Sequence, residues 1–100
     1  MKPQTVLKAI SEPRRMRILE ILRDEGDLSV GEITERVEVT QQAVSLHLKV
    51  LEEAGLVEAR REGTRHLYAV RPDGFRPAQD FVAGFWPGQL AALKATVEKK

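Results

Sequence analysis

Residues 40–56, TQQAVSLHLKVLEEAGL, constrain this chain more than any other stretch. Thr40 suits a helix N-cap, because its hydroxyl can accept from an amide left free at a helix start. Val44, Leu48 and Leu51 then recur at helical spacing as one apolar stripe, and Gly55 ends the run. The other side carries Gln41, Gln42, Ser45 and Lys49. Such a helix anchors one face in a core and leaves an amide-bearing face open. Directly after it, Val57 to Arg61 and His66 to Val70 flank Glu62-Gly63-Thr64-Arg65. That is the pattern of a basic β-hairpin, with Gly63 supplying the backbone freedom of the turn.

The segment upstream reads as three helices. Pro3 to Ile10 is a short one, with Val6, Leu7 and Ile10 apolar. Ser11-Glu12-Pro13 punctuates the chain, and Pro13 suits the first turn of the next helix, where its missing N–H costs nothing. In that second helix Ile18, Leu19 and Leu22 form a stripe widened by Met16 and Ile21, and Gly26 closes it. Ser29 with Glu32 matches a capping box, and Val30, Ile33 and Val37 share a face of a third helix of about two turns. Val39-Thr40 is then a tight link into the fourth helix. After the hairpin, Pro72-Asp73-Gly74 breaks the chain, and a last helical pattern runs from about Pro77 to the end. Phe81 and Phe85, then Leu90, Leu93 and Val97, make its apolar face, and Pro87-Gly88 predicts a kink or a break.

The expected fold is therefore mainly α, a winged helix-turn-helix with the order α-α-α-α-β-β-α, assembled as a homodimer. One domain spans residues 1–100, with 11–71 as helix-turn-helix core and wing and with 1–10 and 77–100 as dimerisation helices. A chain of 100 residues has only a modest core, which a dimer would extend. Its net charge of +1 means that nucleic-acid binding must rest on where charges sit, not on their sum. There is no cysteine, which excludes disulfides and thiolate metal sites and allows a reducing cytosol. No apolar run approaches the ~20 residues of a membrane span, and the first residues lack the long apolar core of a signal peptide.

The run from Ala9 to Val70 resembles the ArsR-type family of winged-helix repressors. The most telling pieces are Glu12-Pro13-Arg14 with Arg17-Ile18-Leu19, then Ser45 with His47-Leu48 and Leu51, then Ala54-Gly55-Leu56-Val57 and Arg61-Glu62-Gly63. The resemblance implies a homodimeric, cytoplasmic transcription regulator, usually a repressor of its own operon, and in many members a metal or other effector releases the DNA. Metal-sensing members carry cysteines in the third helix, where this chain has Ser29 or Val30 and Gly31. Others place His and Asp ligands on the last helix, which here has one acid at each end, Asp80 and Glu98, and no histidine. The ending FVAGFWPGQLAALKATVEKK resembles a branch with an aromatic, FW-containing last helix and no known metal ligands. The expectation is accordingly no metal, no cofactor and an unknown effector. Leu46 departs from the family, where a polar or basic residue is commoner.

Within that frame the DNA-contacting set is Thr40, Gln41, Gln42, Ser45, Leu46 and Lys49 on the fourth helix and Arg60, Arg61 and Arg65 near the hairpin tip. Gln pairs bidentately with the N6/N7 edge of adenine, and Lys49 suits phosphate. Arginines on a thin hairpin follow a backbone or enter a narrow minor groove. The plainer alternative is a solvated helix face and turn. Leu46 either meets a thymine methyl or packs with Val50 against another element. His47 bonds phosphate or sits half buried between helices, the second being favoured. Arg14, Arg15 and Arg17 add phosphate contacts, unless one of them is a structural ion-pair partner. Phe81, Phe85 and Trp86 suit a dimer seam, joined by Val6, Leu7, Ile10, Leu90 and Leu93, ahead of core packing or a ligand pocket. The leading function is a regulator on a palindromic double-stranded operator. Its rival is a winged-helix module that binds a protein and not DNA. An enzyme is disfavoured, since no cysteine nucleophile, phosphate loop or Ser-His-acid set is present.

Overall fold

A computed structural model describes residues 1–86. Helix α1 (Pro3–Ser11) and helix α2 (Pro13–Glu25) each begin with a proline in the first turn. Between them, the Glu12 carboxylate accepts the Arg15 amide at 2.9 Å and caps α2. The Arg15 guanidinium turns back to the carbonyls of Ala9 (2.7 Å) and Lys8 (3.3 Å), closing the end of α1. Arg15 is thus the structural one of the three early arginines. It bonds carbonyls, while the expected ion pairing falls to Arg14, with Glu12, and Arg17, with Glu20.

Helix α3 (Val30–Thr34) has the expected capping box: Ser29 Oγ accepts the Glu32 amide, and Glu32 Oε1 accepts the Ser29 amide. The helix is shorter than its apolar pattern suggested. Val37 lies beyond it, in a turn closed by Val37 N–H to Thr34 O, so the link to the next helix spans residues 35–40 and is not the Val39-Thr40 pair alone. Val37 and Val39 still pack on the core from that turn, which is why the periodicity ran past the helix end.

Helix α4 (Gln41–Glu53) is capped by Thr40, whose hydroxyl accepts the Ala43 amide at 3.2 Å. Val44, Leu48 and Leu51 are fully buried. They join Val6, Ile18, Ile21, Ile33 and Leu56 in a single apolar cluster. Met16, read as part of the α2 stripe, is instead exposed at the rim of a groove with Ile10, Leu19, Val70 and Phe75.

Strands β1 (Val57–Glu62) and β2 (Arg65–Val70) pair antiparallel, with Glu62 opposite Arg65. The turn is only Gly63-Thr64. Gly63 has φ 66°, the positive value that a two-residue turn needs at its first central position. A third piece of sheet was not legible: Leu28 and Tyr68 exchange both backbone hydrogen bonds, at 3.1 and 2.8 Å. This bridge ties the hairpin to the loop before α3.

The chain then makes a 3-10 turn (Pro72–Phe75) and helix α5 (Arg76–Ala83), which packs on α1. Helix α5 ends ahead of Pro87. Gly84 closes it, and Trp86, the residue before the proline, is non-helical, as steric conflict with the proline ring favours. Expectations for Pro87-Gly88, Leu90, Leu93, Val97 and Glu98 lie outside the described residues. Among the described residues, no helix is long and apolar enough to cross a membrane.

Candidate nucleic-acid interface

Helix α4 advances about 100° per residue, so positions can be placed around it from Val44. The core residues Leu48 and Leu51 fall close to Val44. Gln42, Leu46 and Lys49 fall within about 40° of the point opposite. Gln41 and Ser45 lie on the flank between. All five are exposed, as a helix that anchors its other face in the core requires. The outward face is not uniform along its length. Its first half carries amides, a hydroxyl and Lys49, whereas the last turn carries exposed Glu52 and Glu53. A polyanion is therefore met best by the N-terminal half, where the helix dipole also favours negative charge.

Thr40 has its oxygen engaged in the cap, but its O–H remains able to donate outward. His47 is half buried, and its proximity to Glu12 helps to hold that carboxyl below its usual 4.5. Desolvation pulls Glu12 upward, but the amides of Arg15 and Arg14, His47 and the Arg14 guanidinium together outweigh it. Arg14 and Arg17 border a cleft of about 480 Å³ with Arg36, Val37 and Val39, beside the 35–40 link. Arg14 pairs with Glu12 at 3.3 Å and Arg17 with Glu20 at 3.7 Å, both through largely exposed guanidinium groups.

The hairpin separates residues that the sequence had grouped. Side chains alternate faces along a strand, and the register puts Arg61 and His66 on one face and Arg60 and Arg65 on the other. Arg60 pairs with Asp27, and Arg65 meets Glu32 at 2.5 Å. The same Glu32 oxygen takes the Ser29 amide, so one carboxylate caps α3 and holds the wing. The Ser29 amide, with Arg65 and Arg36 nearby, keeps Glu32 below the usual carboxylate value. Arg61 has no acidic partner among the described residues; its guanidinium lies 3.0 Å from His66 Nε2. Asp27 and Glu32 were not foreseen as wing partners, since nothing local marks a pair 33 residues apart.

The residues assigned to a seam divide as well. Val6 is completely buried in the subunit's own core and is not available at the surface, which corrects its place in that set. Ile10 is half buried against the core. Leu7, Phe81, Phe85 and Trp86 are exposed at 36–69%. The Phe81 and Phe85 rings meet edge to face with centroids 5.2 Å apart. Among the described residues no three His, Cys, Asp or Glu groups are placed to hold a metal ion.

Comparison with known proteins agrees with this layout. Residues 12–59 match the family model described as bacterial regulatory protein, arsR family. The chain is 34% identical to an HTH-type transcriptional regulator of Mycobacterium tuberculosis, Rv2034, over 98% of its own length and 91% of the relative's. It is 30% identical to the transcriptional repressor SdpR of Bacillus subtilis, covering 80% of this chain and 88% of that one. Among solved structures, an ArsR-like transcriptional regulator from Rhodococcus sp. RHA1 superposes with a TM-score of 0.73 at 28% identity, over 94% of this chain and 91% of the other.

Proposed function

The chain belongs to the ArsR family of bacterial regulatory proteins, and on that footing we propose that it is a homodimeric, sequence-specific DNA-binding repressor. The observation that carries this reading is the exposed polar face of α4, set opposite fully buried Val44, Leu48 and Leu51 and followed by an arginine-bearing wing. Two such helices in a dimer enter successive major grooves about 34 Å apart, so the operator is an imperfect palindrome. Gln41, Gln42 and Ser45 read base edges; Thr40, Lys49, Arg60, Arg61 and Arg65 meet phosphates. Leu7, Ile10, Phe81, Phe85 and Trp86 form the seam. Occupying a promoter blocks transcription, and the B. subtilis relative is named a transcriptional repressor. The protein acts in the cytoplasm, with the DNA.

A gel-shift titration tests this, using the region upstream of the protein's own gene and duplexes selected from a random pool. Affinity should fall steeply between about 50 and 200 mM salt, because phosphate contacts release counterions. Failure to bind any duplex would favour the rival, a protein-docking module. The exposure of Leu46 (66%) and Val50 (38%) on α4 is the feature that supports that rival.

A further inference from the structure

Leu46 is the most exposed large apolar side chain on α4, at 66%, and it stands about 200° around the helix from Val44, on the crest of the outward face. Its neighbours on that crest are polar: Gln42 one turn before it and Lys49 one turn after. Val50 does not extend it into a broad patch. Val50 borders a separate groove against α1, lined by Thr5, Lys8, Ala9 and Arg15. Leu46 and Val50, four residues on and 38% exposed, thus make only a two-residue apolar spot on an otherwise polar face, and protein-docking faces are normally larger and contiguous.

The proposed DNA reading, on which this step rests, sets that crest against the floor of a major groove. Most groups there are hydrogen-bond donors and acceptors, and covering one with a leucine strips its water without replacing the bond. The apolar group on the floor is the C5-methyl of thymine. Gln42, one turn earlier, suits the N6/N7 edge of adenine. We propose that Leu46 is a specificity-determining residue that packs on a thymine methyl, and that with Gln42 it selects A·T pairs at neighbouring positions of each half-site.

The test uses the full-length protein and a duplex selected from the random pool. Each thymine is replaced singly by deoxyuridine, which differs only in lacking the methyl. At one position per half-site the replacement should weaken binding about fourfold, the worth of one buried methyl group. Leu46→Ala should bind the thymine duplex more weakly and show no further loss with deoxyuridine there. Leu46→Met, still apolar, should keep part of the sensitivity. Indifference of the wild type at every position overturns the proposal, as does undiminished sensitivity in Leu46→Ala. Failure to bind any duplex fails the DNA reading itself, which separates the two. The deoxyuridine series on the wild type needs no variant to fold.

Discussion

Gly74 lies against the backbone of Gly55: a β-carbon on Gly74 would stand 1.8 Å from the Gly55 carbonyl oxygen and 2.7 Å from its carbonyl carbon. Beside this contact the Arg71 amide donates to the Leu56 carbonyl at 2.8 Å. The turn that launches α5 is therefore seated on the turn that ends α4. Backbone cannot move aside as a long side chain can. Gly74→Ala should destabilise the fold by about 2 kcal/mol or more, the range of overpacked sites. Urea unfolding should show a lower midpoint with an unchanged slope; an unshifted midpoint would disprove the tight seat.

Arg61 and the pair Arg60/Arg65 should behave differently on DNA, since among the described residues only the latter two are already ion-paired. Arg61→Ala should lower affinity for all sequences alike and reduce the salt slope by about 1. Glu32→Gln keeps an oxygen for the Ser29 amide but releases Arg65. It should leave affinity unchanged or raise it a few-fold, because exposed pairs contribute little and phosphate replaces the lost partner. Weaker binding by Glu32→Gln would mean that the pair orients the wing and does not compete with DNA.

Gln42→Ala should relax base preference rather than weaken binding uniformly. A bidentate glutamine–adenine pair discriminates by about 1–3 kcal/mol, so that preference should shrink at one position per half-site. Competition between the selected duplex and single-base variants would read it. An equal loss on every duplex would reassign Gln42 to the phosphate backbone.

Acid should loosen the base of the wing. Glu32 titrates below its usual 4.5 in the folded chain, first because the Ser29 amide bonds its charged form. A depressed folded value contributes stability that is present above the unfolded value and is lost as pH falls through the folded one. Stability should thus decline below about pH 4.5, and Glu32→Gln should decline less over that window than the wild type. Parallel acid-unfolding curves, followed by circular dichroism, would contradict this.

The chain has a single tryptophan, Trp86, which is half exposed in the subunit beside Phe85. If the seam forms as proposed, its emission should shift to the red as the protein is diluted through the dimer dissociation range. A concentration-independent spectrum, with a monomer mass in sedimentation, would remove Trp86 from the seam.

Elements whose signals are local were legible in the residues. The Thr40 cap, the α4 stripe and the Ser29–Glu32 box each rest on spacings of three or four, and all appear in the structure. Errors arose where packing outruns helix. Val37 and Met16 kept the period but left the helix or the core, and Val6 looked like a surface stripe although α1 buries it. Long-range pairings were invisible. A one-residue bridge at Leu28 has no periodicity, and the partition of Arg60, Arg61 and Arg65 between two faces depends on a register that the turn length sets.

The reciprocal hydrogen bonds between Leu28 and Tyr68 bear on how this scaffold could be re-engineered. A free two-stranded ribbon is marginal in water, and here the ribbon borrows a third edge from the loop ahead of α3. Its tip at Gly63-Thr64 is open to grafted sequences, provided strand register is kept. Shortening or rerouting residues 26–29, far from the tip along the chain, would unmoor it first.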